Sequence, residues 1–371
     1  MSAENPVKPD LPVAPFCGAY SEVDLLSRFR TAASSGILRH ALPESYGGYG
    51  DGFEKLCETH RRLGTCSRDT GLILAINAHL WGAIFPILHH GNAAQRERFL
   101  PHLVHGELLA GHAITEPECG SDVQAMTCRA DPVADGFLLS GCKSYITNIP
   151  LADWLVVYAK LNGQITAFLV SSNDPGCRSS GVGALQTCRG SSTGNLTLDA
   201  CPIGKDRLLG KPGAGTMIMQ RALELERAFV FAGISGIMDW QLQQAVAYSR
   251  TRRSGDVHLG KHQAIAHRLA EMKLRLDTVD LWLRECARLC DAGQRLTLAA
   301  AQTKLYAAEA FLQSSLDAVQ IMGASGLIAE NGLTDLVQDA LGGRLFSGSS
   351  EIQKNIIAAL LGSGDGYRRK V

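Results

Sequence analysis

Neither sign of charge prevails in this chain: 36 Lys and Arg residues balance 36 Asp and Glu residues over 371 positions. With no basic block in its body, the chain lacks the electrostatic footprint of a nucleic-acid surface. Its 11 cysteines are scattered, with no C-x-x-C pair among them. That pattern argues against zinc ligands or a disulfide framework, and the cysteines read as reduced, small apolar fillers in a cytoplasmic protein. The stretch from Met1 to Phe16 is polar and proline-rich, without the apolar centre of a secretory signal. No apolar run is clean enough to read as a membrane span. The longest, Thr70 to Leu88, is interrupted by Asn77, His79 and Pro86 and is flanked by no positive cluster, so a buried core helix is expected there.

What is present is an ordinary globular composition, 46% hydrophobic and 19% charged, in a chain long enough for two or three domains. The turn cluster Ala41 to Gly50 separates two helical stretches. Phe53 to Leu63 has helical periodicity, Asp69 is placed to cap the apolar segment, and Asn92 is placed to cap a helix over Ala93 to His105. The pattern then changes to strands at Phe137 to Leu139, Trp154 to Lys160, Gln164 to Val170 and Asn195 to Leu198. Asn162-Gly163 lies between the middle two as a hairpin signal. From Gly215 the chain is helical again. Ile265, Leu269, Met272, Leu276, Val279, Leu283, Cys286 and Cys290 step by four and three, the seam of a bundle. Further helices are expected over Leu296 to Ile321 and Glu351 to Leu361, with a frayed tail after Gly362.

Two stretches carry chemistry. Ala113-Ile114-Thr115-Glu116-Pro117-Glu118-Cys119-Gly120-Ser121-Asp122 mixes hydroxyls, acids, one proline and one glycine. It is a shaped loop able to present N–H groups and hydroxyls to a polar ligand. The same residue types also build surface turns that bind nothing. Lys143-Ser144-Tyr145-Ile146-Thr147-Asn148 follows a short β-like run. Together, T-E-P-x-x-G-S-D and K-x-[aromatic]-I-T-N resemble the acyl-CoA dehydrogenase family of flavoproteins. The order of helical, β and helical segments agrees, and Pro43-Glu44-Ser45-Tyr46-Gly47-Gly48-Tyr49-Gly50 resembles a loop of that family's first domain. The resemblance covers about Leu42 to Leu361. It implies a mainly α fold with a central β-domain: an N-terminal helical domain (1–110), a β-barrel domain (111–212) and a C-terminal helical bundle (213–371).

It also implies a reaction, FAD-dependent α,β-dehydrogenation of an acyl thioester. A carboxylate must remove the α-proton while flavin accepts hydride from the β-carbon, and donors must meet the thioester oxygen as it gains charge. The family most often places its base near the C-terminus, and the matching run here is Phe346-Ser347-Gly348-Ser349-Ser350-Glu351. Ser347 stands where the glutamate would be, and an unactivated serine is too weak a base. Other branches of the family place the base on the helix that here reads Leu223-Glu224-Leu225-Glu226-Arg227-Ala228. Glu226 matches that position and lies among apolar neighbours, where an idle carboxylate would be costly. Glu224 is the second candidate, on a different side of the helix. Most helical glutamates are simply solvated charges, and that reading of Glu226 stays open.

By resemblance, Ile114, Thr115 and Ser121 match loop residues near the flavin ring and the thioester, and Tyr145, Ile146 and Thr147 match the segment walling the ring. Arg252 matches an arginine that reaches the FAD of a neighbouring subunit, a task suited to guanidinium. Gln263, Gln320 and Gly323 match contacts to the ADP half, Ser349 and Glu351 complete the cofactor set, and Glu224, Arg227, Ser347 and Gly348 join Ser121 around the substrate. Three positions depart from the family pattern: the aromatic after Arg252-Arg253 is lost at Gly255, Ala324 replaces a second glycine, and Glu351 replaces a glutamine. Weaker FAD binding is expected from them. The serine exchange at 347 is similar to that of the family's prolyl-carrier-protein dehydrogenases, as are Met272 to Leu276, Asp317 to Ile321 and Thr251 to Arg253. A substrate on a carrier protein is therefore favoured over CoA. The expected assembly is a homodimer or homotetramer, with an electron-transfer flavoprotein or O₂ as acceptor and with no metal, nucleic acid or membrane. An acyl-CoA dehydrogenase, a flavin oxidase or monooxygenase, and an inactive binding homologue are the alternatives.

Overall fold

The computed structural model describes residues 24–364; the proline-rich stretch over Met1 to Phe16 and nearly all of the C-terminal tail lie outside them. Helices come first: α1 (Leu25–Ser34), α2 (Gly52–Ser67), α3 (Thr70–His79), α4 (Phe85–His90) and α5 (Ala93–Val104). The caps sit where the sequence places them. Asp69 accepts from Leu72 N at the start of α3, and Asn92 with Gln95 forms a reciprocal capping box on α5. A π turn, Leu80–Ile84, joins α3 to α4. The segment Thr70–His90 is long and apolar enough to cross a membrane, yet 89% of its most apolar window is buried inside the protein. It is a core element here, since its side chains already have protein around them.

The β unit has eight strands: β1 (Ala110–Ala113), β2 (Arg129–Val133), β3 (Gly136–Thr147), β4 (Trp154–Leu161), β5 (Gln164–Ser171), β6 (Cys177–Gly181), β7 (Thr193–Gly204) and β8 (Leu208–Leu209). The sheet runs β6-β7-β3-β2-β4-β5-β8, with β1 also parallel on β4. Asn162 and Gly163 both have positive φ between β4 and β5, the backbone that a two-residue hairpin needs. Periodicity did not reveal β1, β2 and β6: β1 is only four residues long, and β2 and β6 expose most of their side chains.

β1 and β2 share one edge of β4. Ala110–Ala113 pairs with Trp154–Val157, and Arg129 and Ala130 pair with Lys160 and Leu161. The chain leaves the sheet after Ala113 and returns at Arg129, and the excursion between is the T-E-P loop. Glu116 holds it in shape. Its carboxylate accepts from Thr127 N (2.6 Å), Thr127 Oγ1 (2.8 Å) and Cys128 N (3.0 Å), and it meets Lys143 Nζ at 2.8 Å. Lys143 also donates to Ile114 O at 3.0 Å, and Ser144 N to Thr115 O at 2.9 Å. Burial pushes the Glu116 carboxyl up, but the Lys143 ammonium and the two backbone N–H groups outweigh it, and the net direction is down.

The second helical unit is built on α6 (Gly215–Thr251), a single helix of 37 residues. It packs against α2, α7 (Gln263–Asp291) and α8 (Thr297–Met322). Met272, Leu276, Val279, Leu283 and Cys286 of the α7 seam are buried, with Ile265 and Leu269 packed at its edge. α9 (Leu333–Gly343) and α10 (Ser350–Leu360) close the chain. The ten cysteines of the described residues form no disulfide. Burial pushes several thiols up, Cys128 and Cys286 to about 11, which keeps them unreactive.

Lys143→Met is expected to leave the Glu116 carboxylate buried without its cation, at a cost of about 3–5 kcal/mol, read as a lower melting temperature at pH 7. Adding Glu116→Gln should recover part of the loss. Glu116 has a lowered folded pKa, so its contribution is fully present above its unfolded value of 4.5 and fades as pH falls through the folded one. The gap between wild type and Lys143→Met should therefore narrow in acid; a gap that stays constant would count against the pair.

Candidate active site

Glu226 lies three turns into α6, 5% exposed, beside the buried Leu225, Ala228 and Phe229. Ser347 Oγ donates to its Oε1 at 2.8 Å. Its Oε2 has no hydrogen-bond partner among the described residues and lies 3.5 Å from His112 Nε2. Ser347 has φ +56° and Gly348 φ +87°, in the turn between α9 and α10. A left-handed serine costs of order 1–3 kcal/mol and persists only where its surroundings hold it. Here Arg227 Nε donates to Ser347 O (3.1 Å) and the buried Gln353 Nε2 donates to Gly348 O (2.9 Å). Glu224 points elsewhere and pairs with Arg221, as its place on the helix requires.

These groups sit at one end of a cleft of about 560 Å³. The T-E-P loop contributes Ile114, Thr115 and Ser121, and β3 contributes Tyr145, Ile146 and Thr147. The β3–β7 register slips between Lys143 and Ile146. At that slip Tyr145 takes φ +57° and stands 67% exposed at the mouth. Arg227, Ser347, Gly348 and Ser349 line the helical side. The structure thus brings eleven of the sequence-derived site residues to one cavity, Glu226 included.

The others lie apart. Glu351 is exposed in the first turn of α10, behind the Ser349 cap; its own backbone N–H, then the Ser349 hydroxyl, lowers its carboxyl. Gln320 lines a separate cleft of about 470 Å³ with Arg268 and Asp317. Gln263 begins α7, Gly323 ends α8, and Arg252 ends α6. From Glu226 to Arg252 the helix rises roughly 39 Å at about 1.5 Å per residue, so Arg252 cannot reach the cleft of its own chain.

Four lining or neighbouring residues carry no motif. Thr187 and Cys188 belong to the β6–β7 connection, which is clamped to α9 through Cys188 N and Asp339 Oδ1 at 2.6 Å. His112 is a polar residue inside the short strand β1; its place before the T-E-P loop was visible, but its closeness to a glutamate on α6 was not. Lys304 of α8 is fully buried without a hydrogen-bond acceptor among the described residues, 6.0 Å above the Phe346 ring. Burial and then Arg227 lower its pKa to about 8, against the pull of Glu309, Glu351 and Glu226.

The cavity suits a flavin ring. Its walls are largely apolar (Ile114, Tyr145, Ile146, Leu223, Phe346), and Thr115, Ser121 and Thr147 offer hydroxyls for a polar ring edge. A side chain added at Gly120 would meet nothing within 4 Å, so that part of the loop leaves open space.

Comparison with known proteins gives three consecutive matches: "Acyl-CoA dehydrogenase, N-terminal domain" at residues 13–107, "middle domain" at 111–201 and "C-terminal domain" at 213–362. An L-prolyl-[peptidyl-carrier protein] dehydrogenase of Pseudomonas fluorescens is 35% identical over 344 residues, covering 90% of each chain. Among solved structures, the prolyl acyl carrier protein oxidase AnaB superposes with a TM-score of 0.90 at 32% identity, over 92% of each chain. The FAD complex of PigA superposes with a TM-score of 0.88 at 31% identity, over 91% of this chain and 89% of that one.

Lys304 gives a stability test of the site. Its folded pKa of about 8 lies below the ordinary 10.5, so between those values the unfolded chain binds more protons and stability rises with pH. Lys304→Met should raise the melting temperature at pH 7 and flatten that rise in denaturation curves; a less stable variant would show that the ammonium is compensated.

Proposed function

The chain belongs to the acyl-CoA dehydrogenase family, FAD-dependent oxidoreductases acting on CH–CH groups, and from that premise we propose that it desaturates an acyl thioester held on a carrier protein. The observation that carries the reading is the Ser347 Oγ–Glu226 Oε1 contact at 2.8 Å. It brings together the two positions at which members of this family place their base, and only one of them here is a carboxylate. Glu226 takes the α-proton. FAD, when bound, would supply the hydride acceptor for the β-carbon. Thr115, Ser121, Tyr145, Ile146, Thr147 and Ser349 are the residues that would hold the ring. The buried walls around Glu226 exclude water, so its carboxylate is not spent on solvent.

Three features support the finer assignments. Similarity to a prolyl-carrier dehydrogenase and to a prolyl carrier oxidase favours a carrier-bound prolyl or short acyl group over free CoA. The separation of Arg252 from its own cleft favours sites completed by a second copy, with Gln263, Gln320, Gly323 and Glu351 serving the ADP half. Leu316, Leu327 and Ile328 are exposed about the Gln320 end of α8, a surface a second subunit would cover. The divisions 1–110, 111–212 and 213–371 follow the change from helix to strand to helix. A cytoplasmic location belongs to the same reading, as does an electron-transfer flavoprotein or O₂ as acceptor.

Anaerobic flavin bleaching against carrier-bound and CoA-bound acyl groups tests the function. Carrier-bound prolyl or short acyl groups should bleach faster than the same groups on CoA; equal or faster reaction with CoA would remove the carrier assignment. Glu226→Gln should retain FAD and substrate but bleach about 10²–10⁴-fold more slowly, and Ser347→Ala should lose far less. Moving the base by Glu226→Gly with Ser347→Glu should restore part of the rate. An active Glu226→Gln would remove Glu226 as the base.

Arg252→Ala should lower the flavin content of purified protein without changing its fold. Unchanged FAD retention in this variant would count against a site shared between subunits.

A further inference from the structure

We propose that His112 is a positioning residue for the base: its Nε2–H is aimed at the Oε2 atom of Glu226 and fixes the carboxylate in place. The inference deepens the function proposed above, since it takes Glu226 as the base. The two atoms lie 3.5 Å apart, and the side chains of His112 and Glu226 are 13% and 6% exposed. Ser347 already serves Oε1, whereas Oε2 makes no hydrogen bond to any described residue, so the imidazole at 3.5 Å stands beside an unfilled acceptor that a small approach would engage. A carboxylate with one oxygen held and one left bare in a dry cleft can rotate. With a second donor on Oε2 it is pinned from both sides.

The seat of the imidazole is built by two elements. His112 lies opposite Val156 in the β1–β4 ladder, which sets its height above α6. The π turn Leu80–Ile84 brings Gly82 against its ring, and a Cβ added at Gly82 would lie 2.8 Å from His112 Cγ. A helix irregularity and a missing side chain thus make room for this ring, and π turns of this kind recur at functional sites.

The groups around His112 make it a neutral donor. Burial lowers its pKa, and Glu226 on α6 opposes that. His79, on the preceding α3, is engaged elsewhere, with Nε2 on Leu103 O and Nδ1 on Ala110 N. Arg227 is turned to Ser347 O. The strand partner Val156 carries no charge. A carboxylate accepts only, so the neutral ring presents its proton at Nε2. Its Nδ1 has no partner among the described residues, so the histidine is not there to satisfy the surrounding backbone. A hydrogen bond to the charged form favours that form.

Two measurements on the FAD-loaded protein test this. The first needs no substrate, so it stands even if no thioester bleaches the flavin and the proposed function falls. In ¹⁵N-histidine spectra His112 should be protonated on Nε2, and Glu226→Gln should move its titration to lower pH. An Nδ1-protonated ring, or a titration unaffected by Glu226→Gln, would overturn the proposal. The second compares His112→Phe with His112→Gln, which keeps an N–H donor. His112→Phe should slow flavin reduction about 10–100-fold with little change in KM, and should move the acid limb of the kcat–pH profile to higher pH. His112→Gln should recover part of both. An acid limb unmoved in His112→Phe, whatever its rate, would reduce His112 to a structural residue.

Discussion

The ion pair between Glu116 and Lys143 is the constraint on which the site depends. It joins the two motifs that are separate in the chain, and it does so at the point where β1 and β2 leave a gap along one edge of β4. An excursion of this length has little internal structure: one isolated bridge between Glu116 and Cys119 and a short turn at Val123–Ala125. Its shape therefore comes from the carboxylate, which gathers the N–H groups of Thr127 and Cys128 and the ammonium of Lys143 at its far end. A buried pair of this kind contributes specificity of conformation more than net stability. What it fixes is the position of Thr115 and Ser121 relative to Tyr145 and Thr147.

The second constraint is the length of α6. A single uninterrupted helix carries Glu226 in its first third and ends at Arg252. Stiffness over that distance separates the two residues: Glu226 faces the cleft of its own chain, and Arg252 lies far from it. Asn148 closes the remaining interface, donating from one amide to Ala75 O of α3 and Ala110 O of β1. The β unit is thereby locked to the helices that roof the site.

Around Glu226, polar and charged groups are few and each is placed differently. Glu226 has a hydroxyl on one oxygen, an imidazole near the other, and two cations, Arg227 and Lys304, within electrostatic reach of it. Neither cation forms an ion pair with it in the described residues.

Much of this was legible in the sequence because it is local. Helix caps at Asp69 and Asn92, the Asn162-Gly163 hairpin and the α7 seam are written in spacings of a few residues, and the structure reproduces them. The motif residues Thr115, Ser121, Tyr145 and Thr147, and the absence of a carboxylate at 347, were equally readable. The tertiary structure alone decided which of these meet. Strands as short as β1 have no periodicity of their own, so the register that lifts His112 toward α6 exists only once β4 is beside it. The contacts of Glu226 with Ser347 and His112 join residues 121 and 114 positions apart in the chain. No local spacing encodes such contacts; they follow from how the units pack.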